Sequence, residues 1–316
     1  MSSSPALAEV ARLAGVSVAT ASRVLSGRGP SSTASREAVR RAADTLGYVP
    51  HPVARRLARG AGTRLLFAVR DRSPGILSDP FVTRATAAMA AATEPAGLGV
   101  ALRHLPLKAA AELDRIAADR SVAAVVMAGH DSLDAVPARL HGRFAAIGAD
   151  GLDVDSTAGI GALLHHLHAT GRRRIALIGG PPWLAAARAP LHAYRTLMDD
   201  AGLPIRVVPG DFTAARGRTA TRTVLRRWPD TDAIATVSDA TALGVLQTLT
   251  GAGIRVPHDI AVTGFDDIPV AAWTHPALST ATHPVELIAA AAAAAALGAA
   301  PESQRFPSHP VLRATT

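Results

Sequence analysis

The feature that most constrains this chain is a pattern of two short helices joined by a tight turn in residues 6–25, ALAEVARLAGVSVATASRVL. Apolar residues recur at helical spacing up to Ala14, and Gly15 then offers the left-handed backbone at which helices commonly end. Ser17 stands where an N-cap belongs, so its hydroxyl is expected to accept from the free N–H groups of the next helix. Taken alone, the pattern fits either an ordinary helical hairpin or a helix-turn-helix that binds DNA.

The second of these helices separates core residues from outward ones. Ala21, Val24 and Leu25 share the face that is expected to meet the core. The outward residues are small or hydrogen-bonding, with one arginine among them: Ser17, Val18, Ala19, Thr20, Ser22 and Arg23. A short helix with small side chains fits into a major groove, which makes these six residues candidates for DNA contact.

Positive charge is concentrated in the same N-terminal region. Up to Gly60 there are nine arginines and three acidic residues, a net +6 of the chain's total of +8. Residues 31–48 there predict a third amphipathic helix, with Ala38, Val39, Ala42 and Leu46 on its apolar face. The chain as a whole is rich in arginine, with Lys108 its single lysine, but this bias does not explain why the excess lies here. Charge gathered on one small domain indicates a surface for nucleic-acid phosphates.

Three motifs in this region carry a resemblance: AxxAGVSxxTxSRVL, LGYVP and VARRLA, in this order and spacing. Together they resemble the headpiece of the lactose-repressor (LacI/GalR) family of bacterial transcription regulators. The resemblance implies that residues 52–59 become a helix on operator DNA, where Leu57 wedges into a central base step of the minor groove. Arg28 and Arg55 complete the predicted DNA contacts.

From Arg64 onward, short β-rich runs alternate with helical patterns, which predicts parallel α/β layers. The predicted strands are 65–69, 99–103, 123–127, 144–148, 174–179, 233–237 and 260–265. The predicted helices are 81–96, 108–120, 157–170, 185–201, 213–228, 240–252 and 285–297. This number of units exceeds one compact layer and therefore predicts two lobes.

The motifs HLHATGRRRIALIGG and VTGFDDIPVA and the terminal VLRAT resemble the ligand-binding core of the same family. The resemblance implies an all-α helix-turn-helix headpiece followed by a two-lobed α/β core similar to periplasmic binding proteins. Three strands are expected to cross between the lobes, near 151–155, 280–284 and 302–306. The predicted domains are a headpiece at 1–50, a hinge helix or linker at 51–62 and an effector-binding and dimerisation core at 63–316. The N-lobe is expected to hold about 63–153 and 284–301, and the C-lobe about 154–282 and 303–316.

Ligands of open α/β sheets bind beyond the carboxyl ends of the strands, so the loops there supply the candidate effector site. The candidates, most of them aligned with ligand-contacting positions of the family, are Asp79, Phe81, Trp183, Arg188, Phe212, Ser238, Asp239, Asp266 and His283. Two of them have a structural alternative, since Phe81 could staple a helix start and Asp266 could act as an N-cap. Trp183 has no strong counterpart in the family.

Two departures from the family's pattern concern polar anchors of the ligand. Pro190 stands where the family usually has an arginine that forks onto ligand hydroxyls, and proline donates no hydrogen bond. Arg188, two residues earlier, is expected to replace it only if its side chain bends inward. Ser238 stands where the family usually has asparagine, so a hydroxyl replaces an amide at this position. These departures predict an effector other than the family's standard hexoses, or none.

Other features exclude several classes of function. The chain has no cysteine, which rules out disulfides and thiolate metal sites and suits a reducing cytoplasm. Its longest apolar run, 287–297, is too short to span a bilayer, so no membrane contact is expected. His165, His166 and His168 lack an accompanying carboxylate at ligand spacing and are interpreted as part of a packing helix.

We therefore expect a cytoplasmic, homodimeric regulator, most simply a repressor, that binds a near-palindromic operator in double-stranded DNA. A small effector, either a sugar, a nucleoside or another small polar metabolite, is expected to modulate it, without a metal or cofactor. Two alternatives stay open: a small-molecule-binding protein without DNA regulation, and an α/β enzyme. The sequence offers the enzyme no GxSxG elbow and no evident acid–base pair.

Overall fold

The computed structural model describes residues 7–26, 31–48, 62–129, 136–148, 151–299, 301 and 303–316. The chain divides into two compact units, Met1–Thr63 and Arg64–Thr316. Apart from Gly62, the predicted hinge at 51–62 lies outside the described residues. The candidate DNA contacts Arg28, Arg55 and Leu57 also lie outside them.

The described part of the smaller unit consists of the helices α1 (Leu7–Leu13), α2 (Val18–Ser26) and α3 (Thr33–Leu46). Gly15 makes the turn after α1 with a φ of 64°, as predicted. The predicted cap of α2 is also confirmed, since the backbone N of Thr20 donates to Ser17 Oγ at 3.1 Å. The ends of these two helices are therefore set by local chemistry that the sequence displays.

A small apolar core holds the three helices together. Its buried members are Val10, Ala11, Ala21, Val39, Ala42 and Ala43. Val24, Leu25 and Leu46 pack against it, as expected from the helical spacing. On α3 the core takes Ala43 in place of the predicted Ala38, which is only partly buried.

The larger unit alternates strands and helices along the chain. Its strands are β1 (Arg64–Arg70), β2 (Gly99–Leu105), β3 (Val122–Ala128), β4 (Phe144–Ile147), β5 (Leu152–Val154), β6 (Ile175–Ile178), β7 (Val207–Val208), β8 (Ala233–Thr236), β9 (Ala261–Thr263), β10 (Thr280–Ala281), β11 (Gln304–Phe306) and β12 (Pro310–Val311). Its helices are α4 (Pro80–Thr93), α5 (Ala110–Ala118), α6 (Ser156–Ala169), α7 (Arg188–Asp200), α8 (Ala214–Arg227), α9 (Asp239–Gly251) and α10 (Val285–Ala296). All seven strands and seven helices expected from the sequence are present, with ends within three residues of the prediction.

The strands form two parallel sheets and one short antiparallel pair. Six strands lie in the order β11-β5-β4-β3-β1-β2, four lie in the order β7-β6-β8-β9, and β10 pairs with β12. The chain passes between the sheets near the three predicted crossings. β11 pairs with β5 and therefore belongs to the six-stranded sheet. The boundary between the lobes accordingly lies after β11, and not near residue 303 as the sequence predicts.

The alanine-rich α10 covers the six-stranded sheet and packs against α4. Ala289, Ala292 and Ala296 are fully buried, since small side chains let the helix lie close to its neighbours. Alanine also has the highest intrinsic preference for helix. In the described ranges, no helix combines the length and the apolar character needed to cross a membrane.

Two glycines let α8 and α9 approach each other closely. A Cβ atom on Gly217 of α8 would overlap the carbonyl oxygen of Thr241, and one on Gly244 of α9 would overlap that of Ala214. Neither overlap is relieved by rotating a side chain, because the opposing atoms belong to the backbone. Both positions therefore require glycine for space.

We expect Gly217→Ala to lower the free energy of unfolding by about 1–3 kcal/mol, the usual cost of overpacking. The matched control is Gly161→Ala in α6, where no atom lies within 4 Å of the new Cβ. There, alanine should raise the free energy of unfolding by about 0.5–1 kcal/mol through its better helix preference. Urea unfolding followed by circular dichroism measures both, and equal effects of the two variants would contradict the close approach.

Candidate functional site

The outward face of α2 exposes the side chains that the sequence predicts for DNA contact. Val18 is 49% exposed, and Ala19, Ser22 and Arg23 are also exposed. Arg23 Nε donates to the carbonyl oxygen of Ala19 at 3.3 Å, and its Nη2 donates to Thr20 Oγ1 at 3.4 Å. These bonds hold the guanidinium along the helix, beside a surface of small side chains that leaves room for base edges.

A cavity lies in the larger unit at the carboxyl ends of strands from both parallel sheets. Its walls include Arg70 and Gly148 from the six-stranded sheet, and Ser238 and Asp266 from the four-stranded sheet. The cavity opens to solvent, and the empty space is about 1230 Å³ when the solvent at its open side is included. The site is therefore where the parallel topology predicts a ligand.

Seven of the nine predicted effector residues line this cavity. They are Asp79, Phe81, Trp183, Phe212, Ser238, Asp266 and His283. The structure thus brings together side chains separated by two hundred positions in the sequence. The remaining two residues, Arg188 and Asp239, lie elsewhere.

Arg188 does not bend into the cavity. Its side chain is exposed and lines a neighbouring surface depression together with Arg305. Arg188 is the first residue of α7, and the helix directs Pro190 to the cavity instead. The expectation that Arg188 replaces the missing arginine is therefore not supported by this arrangement.

Asp239 is fully buried behind the cavity wall. Its carboxylate accepts hydrogen bonds from Thr280 Oγ1 at 2.6 Å and from the backbone N of Ile268 at 2.9 Å. Burial raises its pKa to about 8, and the nearby carboxylate of Asp266 adds to this rise. Asp239 therefore positions two loops from behind the wall and does not line the cavity.

Asp266 and His283 form the polar centre of the cavity. His283 Nδ1 lies 2.8 Å from Asp266 Oδ1, and the imidazole stacks on Phe81 with ring centroids 5.5 Å apart. His283 Nε2 is buried and has no hydrogen-bond partner within the described part of the chain. Asp266 has a φ of 111°, a backbone conformation that residues other than glycine rarely adopt. Such strain is commonly kept at functional sites.

Asp79 combines a structural and an electrostatic role. It caps α4, because its Oδ1 accepts from the backbone N of Phe81 at 2.8 Å. Burial raises the pKa of Asp79 to about 6, although this hydrogen bond by itself lowers the pKa. The nearby carboxylates of Asp266 and Asp71 add to the rise. Phe81 thus supplies a backbone N–H at the start of α4 and also lines the cavity.

Three charged residues of the cavity wall were not predicted: Arg70, Asp71 and Asp153. Arg70 is 7% exposed, and its Nε donates to the carbonyl oxygen of Gly129 at 2.8 Å. The signal was present in the sequence, since Arg70 and Asp71 directly follow the apolar run of the first predicted strand. Asp153 lies in one of the predicted crossings.

Comparisons with known proteins agree with this arrangement. Residues 6–51 match "Bacterial regulatory proteins, lacI family", and residues 164–316 match "Periplasmic binding protein-like domain". The HTH-type transcriptional regulator CelR of Thermobifida fusca is 33% identical over 302 residues, which cover 90% of this chain and 88% of the relative.

Two solved structures extend the comparison. A transcriptional regulator CelR–cellobiose complex has a TM-score of 0.70 at 30% identity, covering 99% of this chain and all of the other. The Lac repressor dimer bound to operator and the anti-inducer ONPF has a TM-score of 0.82 at 24% identity, covering 98% of both chains. The likeness to the Lac repressor shows that the two chains share a fold.

A helix-turn-helix unit and a two-lobed α/β core with a cavity at its strand ends define a DNA-binding regulator with a ligand-binding core. The identity of 33% over nine-tenths of the chain places this protein in the lacI family of bacterial regulatory proteins. The predicted family and fold class are thereby confirmed. The CelR relative and the CelR–cellobiose complex are both described as transcriptional regulators.

The raised pKa of Asp79 leads to a test of the site's electrostatics. Because its folded-state pKa of about 6 exceeds the ordinary 3.8, ionised Asp79 opposes folding. This cost is absent below about pH 4 and complete above about pH 6. We expect Asp79→Asn, which keeps a capping oxygen, to stabilise the protein by about 1–2 kcal/mol above pH 6 and to have little effect near pH 4.

Thermal unfolding between pH 2 and pH 8 measures this effect and that of the control. Asp119→Asn is the control of opposite sign, because hydrogen bonds from Ser121, then from Arg64, lower the pKa of Asp119. That variant should be destabilised at neutral pH, and its deficit should vanish as the pH falls below the ordinary value of 3.8. A gain for Asp79→Asn that does not change with pH would contradict the assigned electrostatics.

Proposed function

We propose that this regulator is a repressor that binds a near-palindromic operator in double-stranded DNA as a homodimer. We further propose that a small molecule in the cavity changes its operator affinity. The observation that carries this proposal is the presence, in one chain, of an exposed α2 surface and a separate cavity at the strand ends. The Lac repressor dimer bound to operator and the CelR–cellobiose complex support both halves of the proposal.

Base recognition is assigned to the outward face of α2. Its contact residues are Ser17, Val18, Ala19, Thr20, Ser22 and Arg23. Arg23 supplies the guanidinium suited to a guanine edge, whereas Val18 and Ala19 supply shape and contacts to thymine methyl groups. Arg28, Arg55 and Leu57 complete the proposed interface from outside the described residues. Two-fold symmetry of the homodimer then sets the spacing of the operator half-sites.

Effector binding is assigned to the cavity. Asp266 and Asp79 accept hydrogen bonds from the ligand, while Phe81, Phe212 and Trp183 pack on its apolar faces. A sugar, a nucleoside or another small polar metabolite suits this combination. Ser238 contributes a hydroxyl at the start of α9, where it also caps the helix.

The two binding events are linked through the relative arrangement of the lobes. Operator favours one arrangement and effector favours another, so each ligand changes the affinity for the other by the same factor. We propose accordingly that this regulator acts on DNA in the cytoplasm and without catalysis.

The proposal is tested with the full chain. An operator is selected from a pool of random duplexes, and its release is titrated with candidate effectors found by thermal shift. Asp266→Asn should abolish or strongly weaken the response to effector while leaving operator affinity unchanged, since asparagine tolerates the positive φ at this position. A chain that selects no DNA sequence would refute the regulatory proposal.

Arg23→Ala tests the role of α2. If the guanidinium reads a guanine, the variant should lose about 1–3 kcal/mol of operator affinity and relax the preference at one position. Arg41→Ala in α3 is the control, because Arg41 is exposed and pairs with Glu37 at 3.8 Å on the same unit. Quantitative gel shifts with single-base operator variants separate the two. A uniform loss across all sequences for Arg23→Ala would assign this residue to a phosphate.

A further inference from the structure

The walls of the cavity carry more acidic than basic groups. Asp71, Asp79, Asp153 and Asp266 line it, whereas Arg70 and His283 are the basic residues among the described lining positions. A carboxylate-rich cavity is costly to form unless a cation compensates it.

Of the two basic residues of the wall, His283 pairs with Asp266, whereas Arg70 is committed to other contacts. Arg70 donates to the carbonyl oxygens of Gly129 at 2.8 Å and of Leu107 at 3.4 Å, which directs its guanidinium along the backbone of the wall. Asp153 pairs at 2.9 Å with Arg305, which is not part of the cavity wall. No arginine or lysine of the described residues pairs with the carboxylates of Asp79 or Asp266.

Among the described residues, the imidazole of His283, which pairs with Asp266 at 2.8 Å, is the only basic group paired with either carboxylate. Pro190 adds no charge beside them. It is buried in the cavity wall at the position where the resemblance places an arginine. A proline there contributes neither charge nor hydrogen-bond donor. The positive charge that an arginine would bring to the cavity must then come from the ligand, or the carboxylates stay uncompensated.

The remainder of the wall suits a ring that bears such a charge. Phe81, Trp183, Phe212 and Phe265 all line the cavity. The faces of aromatic side chains attract cations, and they also pack against the apolar faces of ligand rings. His283, stacked on Phe81, also presents a buried Nε2 that has no partner in the described structure.

We propose that the effector carries a protonated amine on a ring body, with the ammonium group bound by the carboxylates of Asp79 and Asp266. This inference rests on the proposed effector function of the cavity. An ammonium group donates three hydrogen bonds, and bonds to a carboxylate are among the strongest in proteins. A neutral polyol also donates to carboxylates, but it leaves their charge unbalanced.

The electrostatics of the cavity agree with this assignment. Burial is the largest cause that raises the pKa of Asp79 and of Asp239, and the carboxylate of Asp266 raises both further, because like charges disfavour ionisation of their neighbours. A cation placed beside Asp266 removes this repulsion, whereas a neutral ligand does not.

The test compares matched ligands that differ in one group. Glucosamine is compared with glucose, and tyramine with 4-(2-hydroxyethyl)phenol, by isothermal titration with the full chain at pH 7. The proposal expects the amine to bind at least about ten-fold more tightly than its hydroxyl counterpart in at least one pair. Equal or tighter binding by both neutral members, or no binding by either amine up to millimolar concentration, overturns it.

Two variants assign the preference to the cavity. Asp79→Asn should remove most of the advantage of the amine while retaining the helix cap. Pro190→Arg should supply the missing cation and abolish amine binding. Thr196→Arg adds the same charge on an exposed face of the same helix and should leave the preference unchanged. An amine preference that survives both cavity variants also overturns the proposal.

Operator binding separates this inference from the proposed function. Cellobiose, the ligand of the CelR complex, is included as a neutral effector candidate. If a neutral sugar binds more tightly than the amines and changes operator affinity, the regulatory function stands and the cationic effector is refuted. If the chain binds no operator but prefers amines, the cationic ligand stands and the regulatory function is refuted.

Discussion

The hydrogen bonds of the buried Asp239 carboxylate are the interaction on which the cavity depends. The carboxylate accepts from Thr280 in one crossing and from Ile268 just after the Asp266 loop. Gly264 makes this possible, since a Cβ atom there would overlap the Asp239 carboxylate. Through these contacts one side chain at the start of α9 fixes both segments that carry Asp266 and His283. Its high pKa, about 8, shows the electrostatic cost of placing a carboxyl group there.

A second contact ties this loop to the opposite sheet. Arg84 of α4 donates to the carbonyl oxygens of Asp266 and His283, each at 3.3 Å, and pairs with Glu286 of α10 at 2.8 Å. Both helices cover the six-stranded sheet, whereas Asp266 follows β9 of the four-stranded sheet. A ligand that changes the position of Asp266 therefore acts directly on elements of both lobes. Such a contact is the kind of physical link that effector-dependent regulation requires.

The sequence predicted those parts of the molecule that local chemistry determines. Gly15 and Ser17 set the helix ends of the headpiece, and apolar runs such as 65–69 set the strands. It did not predict the short β7, which depends on its pairing with β6 more than on its own two residues. It also did not predict that Asp239 is buried outside the cavity lining, because a sequence resemblance places a residue on a loop but does not say on which side of the wall its carboxylate lies.

The location of the acidic residues bears on how an effector acts at a distance. Asp79 begins α4 beside the six-stranded sheet, and Asp266 follows the last strand of the four-stranded sheet. A ligand that contacts both carboxylates binds best in the lobe arrangement that places Asp79 and Asp266 within reach of its polar groups. Its affinity for other arrangements is lower, and only such a difference shifts an equilibrium between them. On the proposed function, a ligand that contacts carboxylates from both lobes would therefore favour one arrangement of the core.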